Sequence, residues 1–179
     1  TRLVHPPQDR DPRTGASSIP IYQTSTYHQA DPEHLSRYDY ARSDNPTREA
    51  LEEAIAELEG GTHGFAFASG MAAISSALMI FQAGDHVVAG TDIYGGAYRV
   101  LTTIFKRWGL SVTFADSTDL AQLAAAITPA TKAIFVETPS NPTLRITDLA
   151  AVADLAHRHG LLAITDNTFM TPLLQRPLE

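Results

Sequence analysis

The sequence predicts an α/β fold, a mostly parallel sheet with helices on both faces, preceded by an extended arm. Three observations carry this. Short apolar runs at 64–68, 86–89, 111–115, 133–136 and 161–164 alternate with helical patterns at 71–81, 97–108, 119–127 and 148–159, the rhythm of strands joined by crossover helices. Around Ser69-Gly70-Met71 the alternating aromatic and small residues of FAFAS give way to Ile74, Ala77, Leu78 and Phe81, so a strand turns over a glycine into a helix. Residues 1–44 are rich in proline and polar residues without any sustained period, as an arm is.

In chain order, Ile19, Ile21, Tyr22, Tyr27, Tyr38 and Tyr40 stand in the arm, which argues against a disordered tail. The domain proper is expected over 45–179. Asn45 followed by Pro46 reads as a helix cap with proline at the first helical position. The stripe Leu51, Ala54, Ile55 and Leu58 continues that helix, and Gly60-Gly61 ends it. The last helix is capped in this reading by Thr147, with Asp148 at the positive end of its dipole, His157, Arg158 and His159 at the negative end, and Gly160 as its stop.

A length of 179 residues with 44% hydrophobic and 18% charged residues describes one globular domain. A net charge of -7 gives no basis for a nucleic-acid or anionic-membrane partner, and no apolar run is long enough for a membrane span. The chain has no cysteine, which excludes disulfides and thiolate chemistry and fits the cytoplasm as its location. The seven histidines are scattered, so no metal site is expected. The chain begins at Thr1 without methionine and stops at Pro177-Leu178-Glu179 as another element falls due. A fragment is the expectation.

If the strands are right, polar residues gather at their carboxyl ends: Ser69 and Gly70, Asp92 and Tyr94, Glu137 to Asn141, and Asp166 to Thr168. A helix opening at Gly70 leaves backbone N–H groups free for an anion, although the same turn occurs where nothing binds. Asp166 follows an apolar run at the mouth of what reads as a central strand, where a carboxylate needs a cationic partner or caps the next turn. Tyr94 offers an aromatic face or packs in the core. Together they describe a ligand with a phosphate, a flat ring and a cationic ring nitrogen, which pyridoxal phosphate has.

The stretches YDYARSDNPTR (38–48), ASGMAA (68–73), DIYGG (92–96), ETPSNPT (137–143) and TDNTF (165–169) resemble the pyridoxal-phosphate enzymes of cysteine and methionine metabolism, the trans-sulfuration family, along the whole chain. The resemblance implies the large domain of a fold-type I transferase-like enzyme, here incomplete. It implies that the Gly70 and Met71 amides hold the phosphate, Tyr94 stacks on the ring, Asn141 bonds near the ring hydroxyl, Asp166 pairs with the ring nitrogen and Thr168 supports the ring. Tyr94 and Asp166 are the residues it brings to the chemistry. Tyr40 and Arg42 match a pair that reaches the phosphate of a neighbouring subunit, so the arm over 1–44 is expected to contact that neighbour. One departure stands out. The family attaches its cofactor through a lysine after Ser-x-Thr on a later strand, and this chain has only Lys106 and Lys132, neither at the cluster.

The activity implied is β-elimination of cystathionine to homocysteine, pyruvate and ammonia by a carbon–sulfur lyase, with γ-synthase or γ-lyase chemistry as the alternatives. Gly96 stands where the methionine γ-lyases of the family carry cysteine, against that activity. A homo-oligomer is implied, a dimer with shared sites or a pair of such dimers, acting on a small amino acid. The fragment alone is expected to be inactive. A different class remains open, an inactive fragment or a binding module for a phosphate ligand, although no G-x-G-x-x-G follows a strand here.

Overall fold

In a computed structural model, which describes residues 3–4, 10–31 and 33–179, four strands pair in parallel. They are β1 (His86–Gly90), β2 (Ser111–Ala115), β3 (Thr131–Glu137) and β4 (Leu162–Asp166), in the order β2-β1-β3-β4. The helices are α1 (Pro46–Glu59), α2 (Gly70–Leu78), α3 (Gly95–Arg99), α4 (Leu120–Ala125) and α5 (Leu149–Arg158), and α3 runs on directly as a π-helical stretch, Val100–Phe105. Residues 1–2, 5–9 and 32 of the expected arm lie outside the described residues.

The pleat sends alternate residues to opposite faces. Val87, Ala89, Ala133 and Phe135 therefore join Leu78, Ala97, Leu101 and Phe105 in one core. Val88, Ile134 and Val136 join Leu123, Val152, Leu155 and Ala156 in the other. Helices thus cover both faces, as a parallel sheet requires. Every residue of β1 is buried, and burying each large side chain such as Phe135 contributes about 1.5–3 kcal/mol. Because β2 and β3 flank β1 on opposite sides, the loops after β1 and β3 part and leave a crevice at the carboxyl ends of these strands, where ligands of such sheets bind.

The chain divides into two compact units, Thr1–Ala66 with Leu178–Glu179, and Phe67–Pro177. In the first, Asn45 caps α1 by accepting from Thr47 N–H, and Gly60 closes it in the left-handed region at φ 71. The arm is pinned to this helix start: the Thr47 hydroxyl donates to the Pro20 carbonyl and accepts from Tyr22 N–H. Tyr27 and Tyr38 pack ring on ring at 5.5 Å. The guanidinium of Arg42 lies 4.7 Å from the centre of the Tyr40 ring. No residue of α1 is buried, and Leu51 and Ile55 of its apolar stripe are exposed.

Three expectations need correction. The strand expected over 64–68 is absent: the segment has no strand partner, and its Ala66 N–H donates to the Glu52 side chain instead. Asp148, not Thr147, caps α5, accepting from Ala151 N–H. The Thr147 hydroxyl is buried and engaged by Ser117 at 2.8 Å, while Thr147 N–H donates to Thr138. A hydroxyl already held by a distant residue is not free to cap. Finally, the strand that ends in Asp166 is an edge of this sheet rather than a central strand.

Candidate active site

The opening of α2 leaves backbone donors exposed. Its cap, Ser69, takes the N–H of Ala72 on its side chain and that of Ala73 on its carbonyl, both at 3.1 Å. The N–H groups of Gly70 and Met71 accordingly have no acceptor among the described residues and sit at the positive end of a nine-residue helix. A Cβ on Gly70 would meet nothing within 4 Å, so the approach to these donors is open.

Beside this turn lies the loop after β1. Tyr94, half-exposed, lays its ring against Gly96, and Met71 also approaches that glycine: a Cβ on Gly96 would come within 2.5 Å of Tyr94 Cε1 and 2.8 Å of Met71 Sδ. The missing side chain at 96 is what lets the ring lie there. Across the crevice, the loop after β3 begins with buried Glu137, whose Oε2 accepts from Tyr94 N–H at 2.5 Å and whose Oε1 accepts from Asn141 N–H at 2.8 Å. Burial pushes the Glu137 carboxyl above its ordinary range; the Asp166 and Asp92 carboxylates add to this and the two N–H donors oppose it. The Asn141 carboxamide bonds to nothing among the described residues.

Asp92 braces the same loop. It accepts from the hydroxyls of Ser140, at 2.5 Å, and Thr143, and these bonds hold its carboxyl below the usual range. Arg145, farther along, donates to Asp116 Oδ2 at 2.7 Å.

Asp166 ends β4 opposite Glu137. Its Oδ1 accepts from the backbone N–H of Thr168 at 3.0 Å and from the Thr168 hydroxyl at 2.5 Å. The aspartate does make a local turn, the bland alternative for such a residue, yet both bonds fall on one oxygen and leave Oδ2 for a ligand. Behind it, Gln175 ties Asn167 to the carbonyl of Thr138, so the loops after β3 and β4 hold each other.

These groups line one cavity of about 260 Å³: Gly70, Met71, Tyr94, Asn141, Asp166 and Thr168, together with Glu137 and Phe169. Tyr40 and Arg42 belong to the other compact unit. Lys106 and Lys132 are not among the lining residues; Lys132 sits at the amino end of β3, away from the site. The sequence placed Glu137 in the polar cluster without a role. Its paired acceptance from two backbone amides is visible only in three dimensions.

The donor set fits pyridoxal phosphate. Free amides at a helix start suit a phosphate, a tyrosine face suits a ring, and an open carboxylate oxygen suits a protonated ring nitrogen. The cavity is small for a dinucleotide.

Comparison with known proteins agrees. A family model described as "Cys/Met metabolism PLP-dependent enzyme" matches residues 1–179. The chain is 56% identical over 179 residues to "Cystathionine beta-lyase MetC" of Bacillus subtilis, covering 100% of this chain and 46% of that protein. It is 51% identical to a cystathionine gamma-lyase of the same organism, covering 99% and 47%. The crystal structure of a cystathionine gamma-lyase from Lactobacillus plantarum, complexed with L-serine, superposes with a TM-score of 0.95 at 51% identity, over 99% of this chain and 46% of that one. The chain thus spans about half the length of the relatives it matches. It belongs to the pyridoxal-phosphate-dependent enzymes of cysteine and methionine metabolism.

Proposed function

We propose that the protein carrying this chain is a carbon–sulfur lyase that takes cystathionine and water to homocysteine, pyruvate and ammonia. The observation that carries the reading is the polarity of the cavity: two unpartnered amides at α2 on one side, the free oxygen of Asp166 on the other. A ligand with an anionic end and a cationic ring is what such a cavity orients. Pyridoxal phosphate, when bound, supplies an electron sink for the pair left at the substrate α-carbon as its proton departs. In this reading Gly70 and Met71 bind the phosphate through N–H, and Tyr94 covers the ring. Asn141 turns its carboxamide to the ring hydroxyl. Asp166, held by Thr168, keeps the proton on the ring nitrogen. The base for the α-proton lies outside this chain.

The proposal includes a homo-oligomer in which Tyr40 and Arg42 serve the phosphate of a neighbour, in a dimer or a pair of dimers. The exposed apolar residues Leu51 and Ile55 of α1 support it.

A second reading is γ-elimination, supported by relatives named for it at 51% identity. Product analysis of the full-length protein with cystathionine separates the two. Pyruvate with homocysteine is the β-lyase outcome; 2-oxobutyrate with cysteine would replace it by the γ-lyase one, and neither product would remove both.

A further inference from the structure

Glu137 is the last residue of β3 and only 4% exposed, yet it carries a carboxylate. Burying such a group is costly unless its oxygens are engaged. Here each oxygen takes a backbone N–H from a different stretch: Oε2 from Tyr94, 43 residues away, and Oε1 from Asn141, four residues on. No side chain of its own caps the helix that begins after Tyr94, and the carboxamide of Asn141 is free to turn toward a ligand. An aliphatic residue at 137 would leave both N–H groups without a partner. A glutamine could accept only one, because its NH2 would face the other donor.

We propose that Glu137 is a positioning residue: its carboxylate clamps the backbone of Tyr94 to that of Asn141, fixing across the crevice the two side chains that meet the ring of the cofactor. The proposal rests on the pyridoxal-phosphate reading above. Glu137 lines the cavity, but its carboxylate oxygens are engaged by the two backbone amides, so it acts through the two loops. The clamp joins the loops at the switch between β1 and β3, where the fold itself leaves them apart. The other brace of this region, Asp92 with Ser140 and Thr143, holds the β3 loop without touching Tyr94.

The test uses the full-length protein as wild type, Glu137→Gln and Glu137→Asp, each with and without cofactor. Backbone hydrogen exchange in the cofactor-free form reads the clamp directly. The Gln variant should exchange roughly tenfold to a hundredfold faster at Tyr94 or Asn141, the range expected for losing a charge-assisted bond, while Val87 and Val88 stay protected. Its dissociation constant for pyridoxal phosphate should rise at least severalfold, with altered absorbance of the bound cofactor. The Asp variant keeps the charge but falls short of the donors, so it should shift the same way and covers the case in which Gln does not fold. Unchanged exchange at both amides in the folded variants overturns the clamp. Faster exchange with unaltered cofactor affinity and spectrum overturns the positioning role. A wild-type protein that takes up no cofactor overturns the underlying reading, and the exchange data still show whether the clamp exists.

Discussion

Glu137 and Asp166 are register partners at the final positions of β3 and β4, so two carboxylates stand side by side at the carboxyl ends of the strands with opposite fates. Glu137 is buried and spends both oxygens on backbone amides, whereas Asp166 is half-buried and keeps one oxygen open. Only Asp166 is available to a ring nitrogen. Under the proposed function, replacing it with Asn in the full-length protein removes the charge that would hold the ring proton, and turnover should fall on the order of a hundredfold or more. Cofactor content should fall less than the rate. Near-normal turnover in Asp166→Asn would end the assignment.

The closeness of the Tyr94 ring and Met71 to Gly96 makes substitutions at two positions informative. Tyr94→Phe keeps the aromatic face and should retain the cofactor, whereas Tyr94→Ala should weaken binding by about 0.5–1.5 kcal/mol beyond simple burial. Gly96→Ala forces the ring or Met71 to move, an overpacking cost of about 1–3 kcal/mol, and should weaken cofactor binding without touching any polar contact. Dissociation constants measured by titration decide both. Equal losses in the Phe and Ala variants would make the hydroxyl, not the ring, the important group.

His86 opens β1 at the end of the sheet away from the site, buried between two threonine hydroxyls: Thr131 at 2.8 Å from Nδ1 and Thr113 at 2.9 Å from Nε2. Burial holds its pKa below the ordinary 6.5. Below 6.5 the unfolded chain therefore takes up the proton before the folded one, so stability is whole above that pH and declines as pH falls toward the folded pKa. Urea unfolding at about pH 7.5 and 5 should show a larger acid loss in the wild type than in His86→Gln. Identical losses would mean that this histidine is protonated without cost.

Arg42, with its guanidinium over the Tyr40 ring, is proposed to serve a neighbouring subunit. A bidentate arginine contact with a phosphate is strong, whereas an isolated surface arginine contributes little. Full-length Arg42→Ala and Asp166→Asn should each be nearly inactive. Mixed and allowed to exchange, they form hybrid dimers in which one site carries both defects and the other neither, so activity should return. Confirmed exchange without activity would place Arg42 in service of its own chain.

Where contacts are local, the sequence was enough. Asn45 with Pro46 starts α1, Gly60 stops it, and the apolar runs at 111–115 and 133–136 lie in strands, because caps, turns and period depend on neighbours a few residues apart. The motifs around Gly70, Tyr94, Asn141 and Asp166 likewise stood out, and the structure brings these residues to one cavity. What the tertiary structure decided depended on partners far along the chain. Thr147 looked like a cap until Ser117, 30 residues away, engaged its hydroxyl and left the task to Asp148. The run at 64–68 looked like a strand, but a strand needs a neighbour for its amides, and Ala66 found the Glu52 side chain instead. The order β2-β1-β3-β4 and the edge position of Asp166 follow from how the crossovers pack. Glu137 shows the same division: its burial and its bond to Tyr94 span 43 residues, a distance over which no pattern in the sequence records which donor meets which acceptor.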